Sequence, residues 1–243
     1  MPQMVGFKPT LRWQTRYRGI KMPRVRADNY DDKYRVILDS AATLFAKVGY
    51  PSAKLQDVAK LCGATKSMLY HYFPTKDDLL LALLIEHLER LLVDIDQARS
   101  ESQSPEDQLQ RFIDVFVTKS AQSRQRHVSA MNDAKFLPAE KRAQVLKLER
   151  KVRRTLSGLL RAVNPGMPDE VYAPYAMLLI GMLNWTDLWF RPGGKMKPRE
   201  LCDRIARLYL DGFLAETSTD RSLEHKRPAA RGGKTRARKL DRS

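Results

Sequence analysis

The polar side chains between residues 65 and 73 have the spacing that places them on one face of a short helix. Once Leu69, Tyr72 and Phe73 point inward, the 3.6-residue period brings the polar residues together on the outer side. These residues are Lys66, Ser67, Tyr70 and His71, with Met68 beside them. A cation, two hydroxyls and an imidazole on one face suit contact with phosphates and base edges. The pattern therefore predicts a nucleic-acid contact surface.

A second short helix precedes this face and has to hold it in place. Leu55, Val58 and Ala59 form its apolar stripe, and a three-residue segment separates it from the next helix. Within that segment Gly63 can adopt a positive φ without steric cost, and Thr65 stands where its side-chain oxygen can cap the following helix. The sequence therefore predicts two helices joined by a short, sharp turn.

Residues 33–92 resemble the tetracycline-repressor (TetR) family of bacterial transcriptional regulators. The resemblance rests on a first helix ending in FAKVGY, the core DVAKLCGATKSMLYHYF, and PTKDDLL opening a long fourth helix. The spacing T-K-S-x-L-Y-H-Y-F-x-x-K-x-x-L is much more specific than a bare helix-turn-helix pattern. The alternative is an ordinary helical hairpin with a solvated polar face, which would not explain Tyr70 and His71 turned outward beside Lys66.

The resemblance implies an all-α protein with an N-terminal helix-turn-helix three-helix DNA-binding domain, followed by a helical ligand-binding and dimerisation bundle. The periodicity agrees, because helical segments follow one another without a strand pattern. The expected divisions are a basic, disordered N-terminal arm at 1–30, the DNA-binding domain at 31–97, the effector-binding and dimerisation domain at 104–216, and a basic disordered tail at 217–243.

Two helices within these divisions have clear signals. Helix one is expected from about Asp31 to Val48, with Val48 on its inward stripe. The fourth helix is expected to be capped by Thr75 and Asp78, and its leucines cover an arc wide enough to require burial on more than one side. These leucines are Leu79, Leu80, Leu83, Leu84, Leu88, Leu91 and Leu92.

The resemblance also implies which residues contact DNA. From the recognition helix they are Thr65, Lys66, Ser67, Met68, Tyr70 and His71. Lys54 and Lys76 are expected on phosphates. The second helix departs from the family pattern, which places Thr then Ser where this chain has Ala53 and Lys54. Because Ala53 cannot cap a helix, Ser52 is expected to supply the oxygen if the helix begins one residue early, and to join the DNA-binding residues.

The net charge of +16 is concentrated at the two ends of the chain. Residues 1–30 hold seven Lys/Arg against one carboxylate, and residues 221–243 hold nine against two, which leaves a net charge of +3 between them. Such tails usually add salt-sensitive attraction to DNA without sequence specificity. Arg24 and Arg26 are candidates for minor-groove contact ahead of the first helix. Alternatively, translation starts later, for instance at Met22.

Other sites are predicted to be absent or structural. Cys62 and Cys202 both fall on apolar stripes, which indicates buried free thiols in a reducing compartment.

The sequence has no apolar run of roughly 18 residues and no signal-peptide core, so we expect a cytoplasmic protein without a membrane partner. No phosphate loop, Cys/His ligand cluster or G-x-S-x-G serine occurs, so neither an enzyme nor a metal or resident cofactor is expected. The histidines are scattered along the chain, and His87 is expected to be a hydrogen-bonded core residue.

Residues 184–194, NWTDLWFRPGG, resemble the N-W-x-x-x-W-[FY]-R-P-G-G segment of a TetR branch whose members often sense acyl-coenzyme A (acyl-CoA) thioesters. That resemblance implies aromatic walls for an acyl or ring system and cations for phosphates. The candidate ligand-binding residues are Arg150, Arg154, Trp185, Trp189, Phe190 and Arg191. Three alternatives stay open: a thioester, another small apolar effector, or no ligand, with both tryptophans packing at a dimer seam.

Two C-terminal segments, 175–183 and 201–210, are more apolar than burial in one chain requires, and Gly181 permits close helix approach. In the family two such helices from each subunit form a four-helix dimer interface, whereas the alternative is burial inside one subunit.

The sequence favours a homodimeric repressor that holds two recognition helices about 34 Å apart on an inverted-repeat operator and is released by a small apolar effector. The alternative function is a non-regulatory helical interaction protein whose basic tails bind RNA or anionic surfaces.

Overall fold

The computed structural model describes residues 24–101, 104–191 and 193–215, and within these ranges every regular element is a helix. The prediction of an all-α fold is confirmed. In chain order the helices are α1 (Arg24–Val48), α2 (Leu55–Leu61), α3 (Lys66–Tyr72), α4 (Lys76–Ser100), α5 (Pro105–Gln122), α6 (Arg124–Asp133), α7 (Ala139–Val163), α8 (Asp169–Trp189) and α9 (Pro198–Ala215), with a 3₁₀ turn at Ala134–Phe136. None of the helices described has the length and apolar content that crossing a membrane requires.

Helix α1 begins earlier than the sequence predicted. It starts at Arg24 instead of Asp31, so residues 24–30, expected in the arm, are helical. No Gly or Pro interrupts this stretch, so nothing in its local sequence ends the helix there. The rest of the expected arm, with Met22, and the expected tail at 217–243 lie outside the described residues.

The inward face of α1 differs from prediction at its end. Val48 was expected inward but is 43% exposed. It is the last helical residue before Gly49, whose φ of +78° turns the chain away. The residues of α1 that do enter the core are Ile37, Leu38, Ala41, Ala42 and Phe45.

Helix α4 follows the sequence prediction closely. All seven of the leucines named above are buried. At its start the Thr75 N–H donates to Asp78 Oδ2 at 3.1 Å, and the Asp78 N–H donates to Thr75 Oγ1 at 3.1 Å. This reciprocal pair is a capping box, which satisfies two backbone N–H groups that the helix leaves unbonded. The predicted cap is confirmed.

Contacts divide the chain into two compact units. Among the described residues, the first unit contains 24–87 and 125–145, and the second contains 88–101, 104–124, 146–191 and 193–215. The predicted boundary between 97 and 104 does not coincide with this division. The second half of α4 belongs to the second unit, whereas α6 and the first turns of α7 belong to the first.

Buried polar contacts explain why α6 joins the first unit. The Arg126 side chain is 7% exposed and binds Asp39 of α1 at 2.7 Å, while its other terminal nitrogen binds Glu86 of α4. Beside it, His87 Nε2 lies 3.2 Å from His127 Nδ1. The prediction that His87 is a hydrogen-bonded core residue is confirmed. Although they are 40 residues apart in the sequence, His87 and His127 lie together because α6 packs back against α4.

The second unit has one continuous apolar core built from the C-terminal half of α4 with α5, α7, α8 and α9. Hydrogen bonds fix the turn between α7 and α8: the hydroxyl of Tyr172 donates to the carbonyl oxygens of Asn164 at 2.7 Å and Met167 at 3.1 Å. The Asn164 amide donates to the Phe213 carbonyl of α9 at 3.0 Å. These bonds satisfy buried backbone carbonyls where helices end.

The two cysteines are free thiols, but they differ in environment. Cys202 is buried on α9, and burial, followed by the nearby charge of Asp114, raises its pKa to about 12. Cys62 is half-buried at the C-terminal end of α2, where its Sγ donates to the Ala59 carbonyl oxygen at 3.4 Å. The prediction of burial is therefore wrong for Cys62, because the chain leaves the helix at this residue.

We expect Asp78→Ala to lower the free energy of unfolding by about 1 kcal/mol at neutral pH, because it removes the cap of α4. Hydrogen bonds from Lys141 and then Thr75 hold the pKa of Asp78 below its usual value. Since the folded-state pKa lies below the unfolded value of about 3.9, this stabilisation is present above that pH and is lost as the pH falls through the folded-state pKa.

Chemical denaturation of wild type and variant at several pH values measures this difference. Asp96→Ala is the matched control, because Asp96 makes an exposed pair with Arg99 one turn away, worth a few tenths of a kcal/mol. A difference between wild type and Asp78→Ala that persists unchanged at pH 3 would contradict the assignment.

Candidate nucleic-acid interface

Helix α3 is fixed at its start by the turn before it. Gly63 has a φ of +64°, and the Ala64 N–H donates to the Ala59 carbonyl oxygen at 2.9 Å, which closes the end of α2. Thr65 Oγ1 then accepts a hydrogen bond from the Met68 N–H at 3.1 Å. The predicted roles of Gly63 and Thr65 in the turn and the cap are confirmed.

The exposed face of α3 is the one that the sequence predicted. Leu69 is fully buried, whereas Tyr70 is 43% exposed. The ammonium of Lys66 lies 5.7 Å from the centroid of the Tyr70 ring, so these two side chains share one surface. The other exposed residues of this face are Thr65, Ser67 and His71, with Met68 half-buried beside them. Their contact with DNA stays a prediction.

Aromatic residues of α1 support the opposite side of α3. Tyr72 stacks on Tyr30 with centroids 4.5 Å apart, and Phe73 packs against Tyr34 at 5.4 Å. Burial, followed by the charge of Asp31, raises the pKa of Tyr72. The sequence analysis predicted Tyr72 and Phe73 inward but missed their partners. The spacing of Tyr30 and Tyr34, four residues apart on one helix, was the available signal.

The start of α2 does not use the predicted cap. Helix α2 begins at Leu55, Lys54 occupies the cap position, and no side chain caps it. The prediction that Ser52 supplies the cap oxygen is wrong, because Ala53 is buried in the core and the helix starts two residues after it. Ser52 and Lys54 are both exposed, so their predicted contact with DNA stays open.

Lys76 binds backbone carbonyl oxygens of the chain itself. Its ammonium nitrogen lies 2.9 Å from the Tyr50 carbonyl oxygen, 3.2 Å from that of Pro51 and 2.9 Å from that of Ala53. An ammonium group has three N–H donors, and these three acceptors use all of them. This geometry favours an intramolecular role for Lys76, and its contact with a phosphate stays a prediction.

The six residues predicted to bind a ligand do not surround a common cavity in the described part of the chain. Trp185 is 65% exposed and Trp189 is 51% exposed on the outer face of α8, whereas Phe190 is buried in the core of the second unit. Arg150, Arg154 and Arg191 are exposed. Two surface clefts, of about 250 and 300 Å³, are lined by other residues. The two tryptophans are therefore not walls of an enclosed pocket, because they face away from the core.

The two tryptophans are among seven exposed large apolar residues of α8 and α9. These residues have about half or more of their side-chain surface accessible, and Gly181 lies among them with no atom near the position of an added Cβ. The members are Met177, Leu178, Trp185, Leu188 and Trp189 of α8 and Leu208 and Leu214 of α9. Exposed apolar residues of this size and number are typical of protein interfaces. We call this set the apolar face.

Known proteins with similar sequences fall into one class. Residues 37–83 match the family model for bacterial regulatory proteins, tetR family, and residues 102–213 match that for the tetracyclin repressor-like C-terminal domain. The repressor KstR2 of Rhodococcus jostii is 26% identical over 185 residues, which cover 73% of this chain and 89% of KstR2. Three further curated regulators are 28% to 36% identical over 70 to 99 residues, and the chain spans 25% to 42% of their length.

Solved structures are similar over about three quarters of the chain. A TetR-family transcriptional regulator from Bordetella parapertussis 12822 is 31% identical, with a TM-score of 0.70, and the match covers 76% of this chain and 97% of that one. AibR in complex with isovaleryl coenzyme A and operator DNA has a TM-score of 0.66 at 22% identity, covering 72% of this chain and 97% of AibR. The AibR match shows a shared fold.

We expect Tyr70→Ala to weaken binding to specific duplex DNA by about 1–3 kcal/mol, because it removes a side chain from the exposed face of α3. Its free energy of unfolding should change by no more than about 0.5 kcal/mol, as for other surface substitutions. Leu69→Ala is the matched control, since Leu69 is fully buried and its truncation should cost about 2–5 kcal/mol of stability. Thermal unfolding and DNA titration of both variants test this, and a large stability loss for Tyr70→Ala would mean that the face is misassigned.

Proposed function

The chain belongs to the TetR family of transcriptional regulators, and we propose that it is a homodimeric repressor that leaves an inverted-repeat operator when a small apolar effector binds. Membership of this family makes the chain a DNA-binding regulator and not an enzyme. In this proposal residues 31–97 bind DNA, and residues 104–216 bind the effector and the second subunit. The observation that carries the proposal is the exposed polar face of α3 above a fully buried Leu69.

The exposed face supplies two kinds of DNA contact. Tyr70, His71 and Ser67 have donors and acceptors that reach base edges in the major groove, whereas Lys66 and Lys54 provide cations for phosphates. A seven-residue helix spans about 10 Å, so it fits within the width of a major groove of about 12 Å.

The apolar face of α8 and α9 supports a dimer. Seven large apolar side chains left in water are unfavourable, and pairing the same face of two subunits removes them from solvent with two-fold symmetry. Gly181 lies within this face, and its missing side chain allows the backbones of two helices to approach closely. Two subunits would present two copies of α3, which is what an inverted repeat requires.

We expect DNase footprinting on the DNA upstream of the gene to show one protected palindrome whose half-sites lie about 34 Å apart, or a multiple of one helical turn.

Gly181→Arg should produce a monomer by sedimentation and lose the footprint, because an arginine would hold the two apolar faces apart. Gly158→Arg is the matched control: Gly158 is also an exposed helical glycine with open space around it, but it lies on α7 among charged residues. A dimeric Gly181→Arg variant would refute the assigned interface.

The alternative function, a helical interaction protein whose basic tails bind RNA or anionic surfaces, gives a different result in the same assay. It predicts uniform, salt-sensitive retardation of any polyanion, which is lost when residues 1–23 and 217–243 are removed. The repressor proposal predicts that sequence preference survives this removal, because α3 carries the specificity.

For the effector we propose an amphipathic small molecule of the acyl-CoA thioester class. Phe190 is buried in the apolar core of the second unit, and the next residue, Arg191, is exposed, so an apolar region and a cation adjoin at the end of α8. Exposed cations also occur on α7, at Arg150 and Arg154. The apolar core suits an acyl group and the exposed arginines suit phosphates, although no cavity of the described part of the chain joins them. The AibR complex with isovaleryl coenzyme A gives a precedent on a similar fold.

We expect isovaleryl-CoA or a longer or aromatic acyl-CoA to raise the melting temperature of the full chain. A ligand at a hundred times its dissociation constant stabilises by about 2.7 kcal/mol, which corresponds to roughly 5–10 °C for a protein of this size. Coenzyme A alone and the free acid are the controls, and Arg191→Gln should reduce the shift. The absence of a shift across acyl groups would reject the thioester class and leave another apolar effector.

A further inference from the structure

The turn between α1 and α2 is held by the first residue of α4. Three acceptors of this turn, the carbonyl oxygens of Tyr50, Pro51 and Ala53, lie within 3.2 Å of the Lys76 ammonium nitrogen. Hydrogen bonds in which the donor is charged are shorter and stronger than neutral ones. The ammonium therefore donates to carbonyls of the turn, which lie between α1 and α2 and outside both helices.

The aromatic ring of Tyr50 packs against the ammonium group of Lys76. The nitrogen lies 4.4 Å from the ring centroid, and the buried ring packs edge-on against Phe45 of α1 at 5.2 Å. The Tyr50 hydroxyl donates to Asp77, and on its other side the ring stacks on Phe136 at 5.8 Å. Burial, and then the Asp77 carboxylate, raise the pKa of Tyr50. The side chain of Lys76 is therefore bound on several sides by the chain itself.

The held turn determines where α2 begins. Ala53 is buried directly after the turn, and Lys54 starts the helix without a side-chain cap. The Ala53 N–H donates back to the Gly49 carbonyl oxygen at 3.2 Å, so the backbone of the turn is bonded at both ends. Helix α2 in turn packs against α3 through the short turn at Gly63. Displacement of the turn would thus displace α2 and the recognition helix with it.

We infer that Lys76 is a positioning residue of the DNA-binding site, which contributes to operator affinity by holding the turn before α2 and not by binding a phosphate. This inference rests on the proposed function. It separates Lys76 from Lys54, whose exposed side chain remains available to DNA.

The salt dependence of operator binding distinguishes the two roles. Each phosphate contact contributes about 0.9 to the slope of log affinity against log salt, so a dimer that loses one contact per subunit loses about 1.8. We expect Lys76→Met in the full chain to lower operator affinity roughly tenfold, the size of a lost charged hydrogen bond, with an unchanged slope. Lys54→Met should lower the slope by about 1.8. A reduced slope for Lys76→Met, or an unchanged affinity, would overturn the inference.

A measurement on the wild-type protein covers the case in which Lys76→Met does not fold. Acetylation of lysines by a water-soluble acetyl ester, followed by mass spectrometry, reports how accessible each ammonium group is. In the free protein Lys76 should react at least about tenfold more slowly than the exposed Lys54 and Lys60, and its rate should not change when operator DNA is added. Lys54 should be protected only in the complex. Rapid acetylation of Lys76 in the free protein, with protection on adding DNA, would make it a phosphate ligand.

The two experiments also separate this inference from the proposed function. If the wild-type protein shows no preference for any DNA sequence, the proposed function fails, and the positioning role in operator binding fails with it. If wild type binds an operator and Lys76 is readily acetylated, the proposed function stands and the inference about Lys76 alone is wrong.

Discussion

The burial of Leu69 and Phe73 beneath α1 is the constraint on which the recognition surface depends. A helix of seven residues is too short to be stable by itself in water, so packing, and not propensity, fixes both its existence and its rotation. Each residue advances the helix by about 100°, so a shift of one position would bury Tyr70 and expose Leu69. The aromatic pairs with Tyr30 and Tyr34 prevent this rotation from the side of α1.

Local features of the fold could be predicted from the sequence, because their causes lie within a few residues. The caps at Thr65 and Thr75 and the positive φ at Gly63 depend on side-chain chemistry and spacing along one segment. The contacts that the sequence did not reveal are non-local and polar. The carbonyls around Lys76 lie more than twenty residues earlier in the chain, and no periodicity marks a backbone acceptor. The resemblance to the family assigned Lys76 to DNA, because a lysine at the start of a helix has the same sequence pattern whether it binds a phosphate or the chain's own carbonyls.

The tryptophans of α8 show a second feature that could not be predicted from the sequence. An apolar stripe that lines a cavity and one that faces a partner subunit have the same pattern in sequence, so Trp185 and Trp189 could be assigned to either. Their exposure favours the partner, and Phe190 remains as the member of that segment that enters the core. Polar residues of α6 are also buried, because Arg126 binds carboxylates on α1 and α4. The sequence of α6 contains few apolar residues, so it does not indicate this burial. Burial of such a group without its partners would be strongly unfavourable.

The different environments of the two thiols make the native chain selectively addressable. Cys202 is buried with a pKa raised to about 12, so its thiolate is scarcely populated near neutrality. Cys62 is half-buried at the end of α2, directly before Gly63 of the turn that leads into α3. A maleimide spin label or fluorophore would therefore attach beside the recognition helix without any engineered cysteine. In a homodimer, two such labels would report the separation of the recognition helices directly, by electron spin resonance or energy transfer.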